Sequence, residues 1–136
     1  MLPLRYHRRW QIAGVVVLLG VLAATLIPAF WLWPNITRVT LFAFDKWLHG
    51  ITFLFLAVWF SGQYSRERYV RVGMGLFVFG IIIELCQRMV SYRTAELMDL
   101  FADTVGIAVG LAIAAVGVGG WSLRFEERLA RRKQGH

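Results

Sequence analysis

Asp45 and His49 stand four residues apart in the stretch FDKWLHG (44–50), directly before an apolar run at residues 51–60. A four-residue step keeps two side chains on one face of a helix. Glu84 and Gln87 close a later apolar run in ELCQ (84–87), and Asp99 and Asp103 open the next in MDLFADTVGIAVG (98–110). Carboxylates with an imidazole supply general acid and base groups. The same donors suit a divalent cation, which would bridge phosphate oxygens. Lys46, Arg88 and Arg93 are suited to taking phosphate directly. The expected catalytic set is therefore His49, Glu84, Asp103, Asp99 and Asp45, with Lys46, Gln87, Arg88 and Arg93 as the expected substrate-binding set. The residue types leave the identity of any metal open.

The elements that carry these residues follow from the composition. The chain has 136 residues, is 58% hydrophobic and has a mean hydropathy of +0.59. That length suffices for one domain, and that content is too apolar for a soluble protein whose small core could not hide it. Four apolar runs predict spans over about residues 11–33, 45–62, 69–90 and 96–119. The expected fold is all-α: one membrane domain, residues 1–136, built as a bundle of four transmembrane helices. Each run covers roughly 18–24 residues, enough at about 1.5 Å per residue to cross ~30 Å of hydrocarbon. The second has a short apolar centre and spans only if Asp45–His49 lies in its first turns. The first reads as a retained anchor rather than a signal peptide, because Pro28, Trp31 and Trp33 follow it instead of a small-residue cleavage site.

Charge fixes the expected orientation. The net charge is +7, but the basic residues form short clusters between apolar runs, with no nucleic-acid motif beside them. Eleven of the fifteen fall on the side shared by the N-terminus, the second loop and the C-terminus: Arg5, Arg8, Arg9, Arg66, Arg68, Arg71, Arg124, Arg128, Arg131, Arg132 and Lys133. The positive-inside rule then puts both termini in the cytoplasm and the first and third loops outside. The tail, residues 122–136, is basic and amphipathic and is expected on anionic lipid headgroups. Trp31, Trp33, Trp47, Trp59 and Trp121 read as interfacial belt residues. The one cysteine, Cys86, excludes an intrachain disulfide and reads as a buried structural thiol.

With this topology Asp45, His49, Glu84, Gln87, Asp99 and Asp103 all lie at the outer mouth. His49, Glu84 and Asp103 are expected to converge, with Asp45 and Asp99 at the rim. Charge inside a span is costly and needs a reason. Gly73, Phe77, Gly80, Glu84 and Arg88 share one helical stripe, and Asp99, Asp103, Gly106 and Gly110 share another. Small residues let helices approach closely, here the third and fourth, and the same face would also serve an oligomer. The structural alternative pairs the acids with Lys46, Arg88 and Arg93 to fix helix register, with Asp45 and Asp99 favouring their helix dipoles and Thr94 capping the fourth helix.

DKWLHG (45–50), ELCQ (84–87) and MDLFADTVGIAVG (98–110), in this order, resemble the VanZ-like family of small bacterial membrane proteins. That pattern runs D-K-x-x-H, E-x-x-Q and D-x-x-x-N-x-x-G-x-x-x-G, and the likeness covers about residues 20–118. The chain departs from it at Gly50, where Phe is usual, at Phe53, where Tyr is frequent, and at Asp103, where Asn is usual. The resemblance implies a multi-pass protein of the bacterial cytoplasmic membrane that acts on the cell envelope. The family's naming member is associated with resistance to the glycopeptide teicoplanin.

Two functions fit. In the first, an outward-facing site binds or processes a lipid or lipid-linked envelope molecule, with or without catalysis. Ser91 is the serine near that site, and it has no partner in sequence. In the second, a non-catalytic accessory protein uses the polar cluster as a packing lock or partner site. A transporter would need polar residues through the whole depth, and the inner halves of the spans are Val, Ile, Leu and Gly.

Overall fold

The computed structural model describes residues 2–27, 38–90 and 96–134; Pro28, Trp31, Trp33, Ser91, Arg93 and Thr94 lie outside them. The elements are α1 (His7–Leu26), α2 (Arg38–Ser61), a 3₁₀ turn (Arg66–Arg68), α3 (Tyr69–Arg88), α4 (Leu97–Ile113), a π turn (Ala114–Val118) and α5 (Trp121–Gln134). The fold is all-α, with no strand among the described residues.

Side-chain ties show how α1 to α4 are stacked. Gln87, near the end of α3, donates to the Thr25 carbonyl near the end of α1 at 3.2 Å. Lys46 of α2 reaches Asp99 in the first turn of α4 at 3.2 Å, and Glu96, just before α4, donates its amide to Glu84 of α3. At the opposite end Trp121 donates its indole N–H to the Val58 carbonyl of α2 at 3.2 Å. Helices α1 to α4 therefore alternate in direction as an antiparallel bundle. Its core is Phe53, Leu56, Ala57, Leu76, Ile83 and Ile107.

The closest backbone approach is between α2 and α4. A Cβ on Gly106 would fall on the Gly50 carbonyl oxygen, and one on Gly110 would lie 2.6 Å from the Leu54 carbonyl oxygen and 2.7 Å from Ala57 Cβ. This corrects the expectation that the glycine face of the fourth helix meets the third. Gly50 and Ala57 give α2 a surface as small as the one it faces, so those two backbones can close on each other. Gly73 of α3 does meet α4, but through side chains: its Cβ would sit 3.0 Å from Leu111 Cδ1.

The outward surface is apolar. Ile12, Val16 and Leu19 on α1, Val70 and Met74 on α3, and Phe101 on α4 are all more than half exposed. Large contiguous apolar surface of this kind is what lipid covers. Three helical stretches are long and apolar enough to cross a membrane: His7–Leu26, Arg66–Arg88 and Leu97–Gly117. Four were expected, and α2 is not among them. It is long enough at 24 residues, but Asp45, Lys46 and His49 lower the mean hydropathy of its described part. It also begins at Arg38, which puts Asp45 and His49 about two and three turns into the helix at ~3.6 residues per turn, deeper than the first-turn placement expected.

The tail is a helix that returns to the bundle. Gly120 has φ 69°, a left-handed conformation that favours glycine, at the turn into α5. Ser122 donates its hydroxyl to the Gly62 carbonyl. Glu126 accepts from the Arg5 amide at 2.7 Å, the Tyr6 amide at 3.2 Å and the Trp10 indole at 2.8 Å. A carboxylate at the start of α1 also complements that helix's dipole. Trp10 lies 5.3 Å from Trp121 and 6.0 Å from Trp59 between ring centroids, so Trp59 and Trp121 are packed in an aromatic cluster. Of the described tryptophans, Trp47 is the one fully on the outside, at 72% exposed.

Candidate functional site

Three helices bring the ionisable residues to one end of the bundle. His49 on α2 and Asp103 on α4 are buried side by side, with His49 Nδ1 2.9 Å from Asp103 Oδ1. With Asp103 ionised, its carboxylate accepts and His49 Nδ1 donates. The small-residue contact below sets this pairing. Gly50, directly after His49, and Gly106, about one turn past Asp103, hold α2 and α4 close, and His49 and Asp103 face each other across the same seam. From α3, Gly80 leaves room for the Asp103 carboxylate: a Cβ there would lie 2.9 Å from Oδ2 and 3.4 Å from Phe53 Cζ.

Glu84 stands one turn beyond Gly80 and is also buried, at 8% exposed. Its Oε2 accepts the Glu96 amide at 3.1 Å. His49, Glu84 and Asp103 each offer one ligand-type atom within 4.8 Å of the others, and so do Asp45, His49 and Asp99. His49 is thus the member common to both groups. Asp99 was expected at the rim but is only 2% exposed. It accepts from Lys46 Nζ at 3.2 Å, and the same ammonium donates to Glu96 Oε2 at 2.8 Å. Asp45 is half-buried beside them.

The expected binding residues divide. Lys46 joins the cluster through Asp99 and also lines a shallow groove with Trp47, Gly50 and Phe101. Arg88 is exposed and lines a cleft of about 220 Å³ together with Glu84, Glu96, Leu85 and Leu97. Gln87 is buried but turned to α1, where it holds the Thr25 carbonyl. Arg93 lies outside the described residues. Cys86 is half-buried, has no disulfide among the described residues, and takes no part in either acid group. Glu96 was missed in the sequence. It is the N-cap residue of α4 and has an extended backbone, so helical spacing gives it no signal.

The arrangement holds an imidazole between carboxylates in a water-poor setting, where each hydrogen bond counts for more and each unpaired polar atom costs more. It can move a proton between His49 and an acid or hold a cation, with Glu84 at the boundary between the buried cluster and the cleft. Gly80→Ala tests the packing that aims Asp103. Its methyl should displace the carboxylate and cost about 1–3 kcal/mol, the usual range for over-packing. Gly75→Ala is the control, since a Cβ there meets nothing within 4 Å. Thermal midpoints in detergent check this, and equal midpoints for the two variants would contradict the tight fit at Gly80.

A family model described as VanZ/LLP1 matches residues 5–118, most of the chain. A search of the curated proteins and a search of the solved structures each found no match.

Proposed function

The chain belongs to the VanZ/LLP1 family, and we propose that it binds or processes a lipid or lipid-linked envelope molecule at this polar end. In this reading α2 is a fourth span. Its outer face carries Trp47, Ile51 and Phe55, each more than half exposed, and it meets α4 from Lys46 to Ala57. Both termini are cytoplasmic, and the cluster faces outward in the bacterial cytoplasmic membrane, an orientation that the distribution of arginine and lysine supports.

The observation that carries the proposal is the cleft beside the cluster. Glu84, Arg88 and Glu96 make it polar, while Ile81, Leu85, Leu97 and Leu100 make the remaining wall apolar. A molecule with an anionic head and a hydrocarbon tail matches both parts. Arg88 would take the phosphate, since its planar fork matches phosphate oxygens. Glu84 would face the head from the buried side, with His49 and Asp103 behind it as proton-carrying groups. Action on a lipid-linked envelope intermediate would also account for a role in teicoplanin resistance.

The second reading, a non-catalytic accessory protein, draws on Gln87 bound to Thr25 and Lys46 bound between Glu96 and Asp99. These bonds fix helix positions without needing a ligand.

The test has two arms. Reporter fusions after Phe60 and after Arg93 should give cytoplasmic and external signals respectively; a cytoplasmic signal at Arg93 would invert the topology. The full chain in nanodiscs should bind a polyprenyl phosphate in preference to phosphatidylcholine. Arg88→Gln should weaken that binding about 10-fold or more, the loss of a charge-assisted contact. Equal affinity for the zwitterionic lipid, or an Arg88→Gln variant that binds normally, would favour the accessory reading.

A further inference from the structure

We propose that the end of the bundle opposite the polar cluster binds a phospholipid with an anionic head, in a groove between α1, α2 and α3. The groove has a volume of about 350 Å³, within the roughly 300–1,000 Å³ usual for ligand pockets. Tyr64, Arg68 and Arg71 line its polar part. Leu18 of α1, Phe60 of α2, and Val72, Leu76 and Phe79 of α3 line the rest. From Arg68, the N-cap residue of α3, to Phe79 the chain advances eleven residues. That is about 16 Å at about 1.5 Å per residue, half of the ~30 Å hydrocarbon layer. The groove therefore has the depth of one leaflet, with its charge at the end of the bundle and its apolar wall running inward.

The polar part selects an anion. Arg68 and Arg71 are exposed, and neither is in an ion pair among the described residues. Glu67 is their neighbour in sequence but does not line the groove. The first turn of α3 holds no acidic residue, so the positive end of that helix dipole also favours an anion. An arginine fork matches phosphate oxygens, and the Tyr64 phenol can donate to one. The apolar part selects a lipid over a free phosphate, which would use the arginines alone. A glycine makes room for the acyl chain: Gly75 lines the groove, and a Cβ there meets nothing within 4 Å. The groove shares no residue with the cleft of Glu84 and Arg88, so this site does not rest on the function proposed above.

The plain alternative is that Arg68 and Arg71 only set topology, in which case anionic lipid gathers according to total charge. The purified full chain in neutral detergent is titrated with dioleoyl phosphatidylglycerol and, separately, with dioleoyl phosphatidylcholine, and bound lipids are counted by native mass spectrometry. One phosphatidylglycerol per chain is expected, held about 10-fold or more tightly than phosphatidylcholine and not displaced by glycerol 3-phosphate. Arg68→Gln combined with Arg71→Gln should weaken it about 10-fold or more. Arg131→Gln combined with Arg132→Gln removes equal charge from exposed positions on α5 and should leave binding unchanged. Gly75→Leu puts a side chain into the groove and should weaken binding by a similar factor, with a thermal midpoint no lower than the parent's. Should a groove variant fail to fold, the parent decides: phosphatidylglycerol with a diazirine on its acyl chain should label residues 72–79. Equal affinity for the two lipids, equal loss in the two arginine pairs, full binding in Gly75→Leu, labelling only elsewhere, displacement by glycerol 3-phosphate, or a lipid-free dimer would overturn the proposal. Arg88→Gln should bind phosphatidylglycerol as the parent does, and a loss there would move the lipid to the outer cleft and overturn this site.

Discussion

Gly106→Leu is expected to abolish most folded yield. A first side-chain atom at this position falls on the carbonyl oxygen of Gly50, and its next contacts are the Gly50 carbonyl carbon and the Leu54 amide nitrogen, each 3.0 Å away. All of these are backbone atoms, so no rotamer change relieves the overlap; α2 and α4 must separate. Over-packing in a fitted interior usually costs about 1–3 kcal/mol, and a backbone collision belongs at or above the top of that range. Separation would also draw His49 away from Asp103, one turn along the same seam, and leave the hydrogen bond between them unmade. Gly20→Leu is the comparison, because a Cβ on Gly20 meets nothing within 4 Å. The measurement is monodisperse yield and thermal midpoint in detergent. Similar values for the two variants would mean that α2 and α4 are not held by their backbones at Gly106.

That interface also marks how far the sequence could be read. The spacing of Asp99, Asp103, Gly106 and Gly110 defines a face of α4, because a helix repeats its angle on a fixed step. It does not say which helix meets that face. Two candidates ran beside it, and the choice fell to Gly50 and Ala57, whose small size matters only once they stand opposite. Asp45 and His49 were legible as a shared face, but their depth was not. The residues before them, Leu41 to Phe44, are apolar and helix-compatible, so α2 continues back to Arg38. The convergence of His49, Glu84 and Asp103 followed from alternating helix direction, which short loops impose. Glu96 escaped notice because it lies just outside the helix it precedes, where periodicity gives no signal. The return of α5 to the start of α1 was hidden for another reason. Its tie is Glu126, an acidic residue among arginines, two of whose three partners are backbone amides that no pattern of side chains reveals.

Glu84→Gln and His49→Ala, made singly and together, should separate the site from its scaffold. Glutamine keeps the volume of Glu84, and its carbonyl oxygen can still accept the Glu96 amide. Folded yield should therefore stay near normal, while the charge that the cleft presents is lost. His49→Ala removes the donor to Asp103 Oδ1 and leaves a buried carboxylate without its partner, a loss that commonly costs ~3–5 kcal/mol. That variant should lose yield and function together. If the three residues act as one unit, either change alone removes most of the function, and the double variant adds little further loss. Polyprenyl-phosphate binding in nanodiscs, read beside folded yield, tests the proposed function. The informative variant is Glu84→Gln. Lost function at normal yield places Glu84 in contact with what the protein handles, because the scaffold has been left intact. Full function in Glu84→Gln, with His49→Ala failing only in proportion to its yield, would mean that the buried acids serve to hold α2, α3 and α4 in register. The accessory reading would then stand in its place.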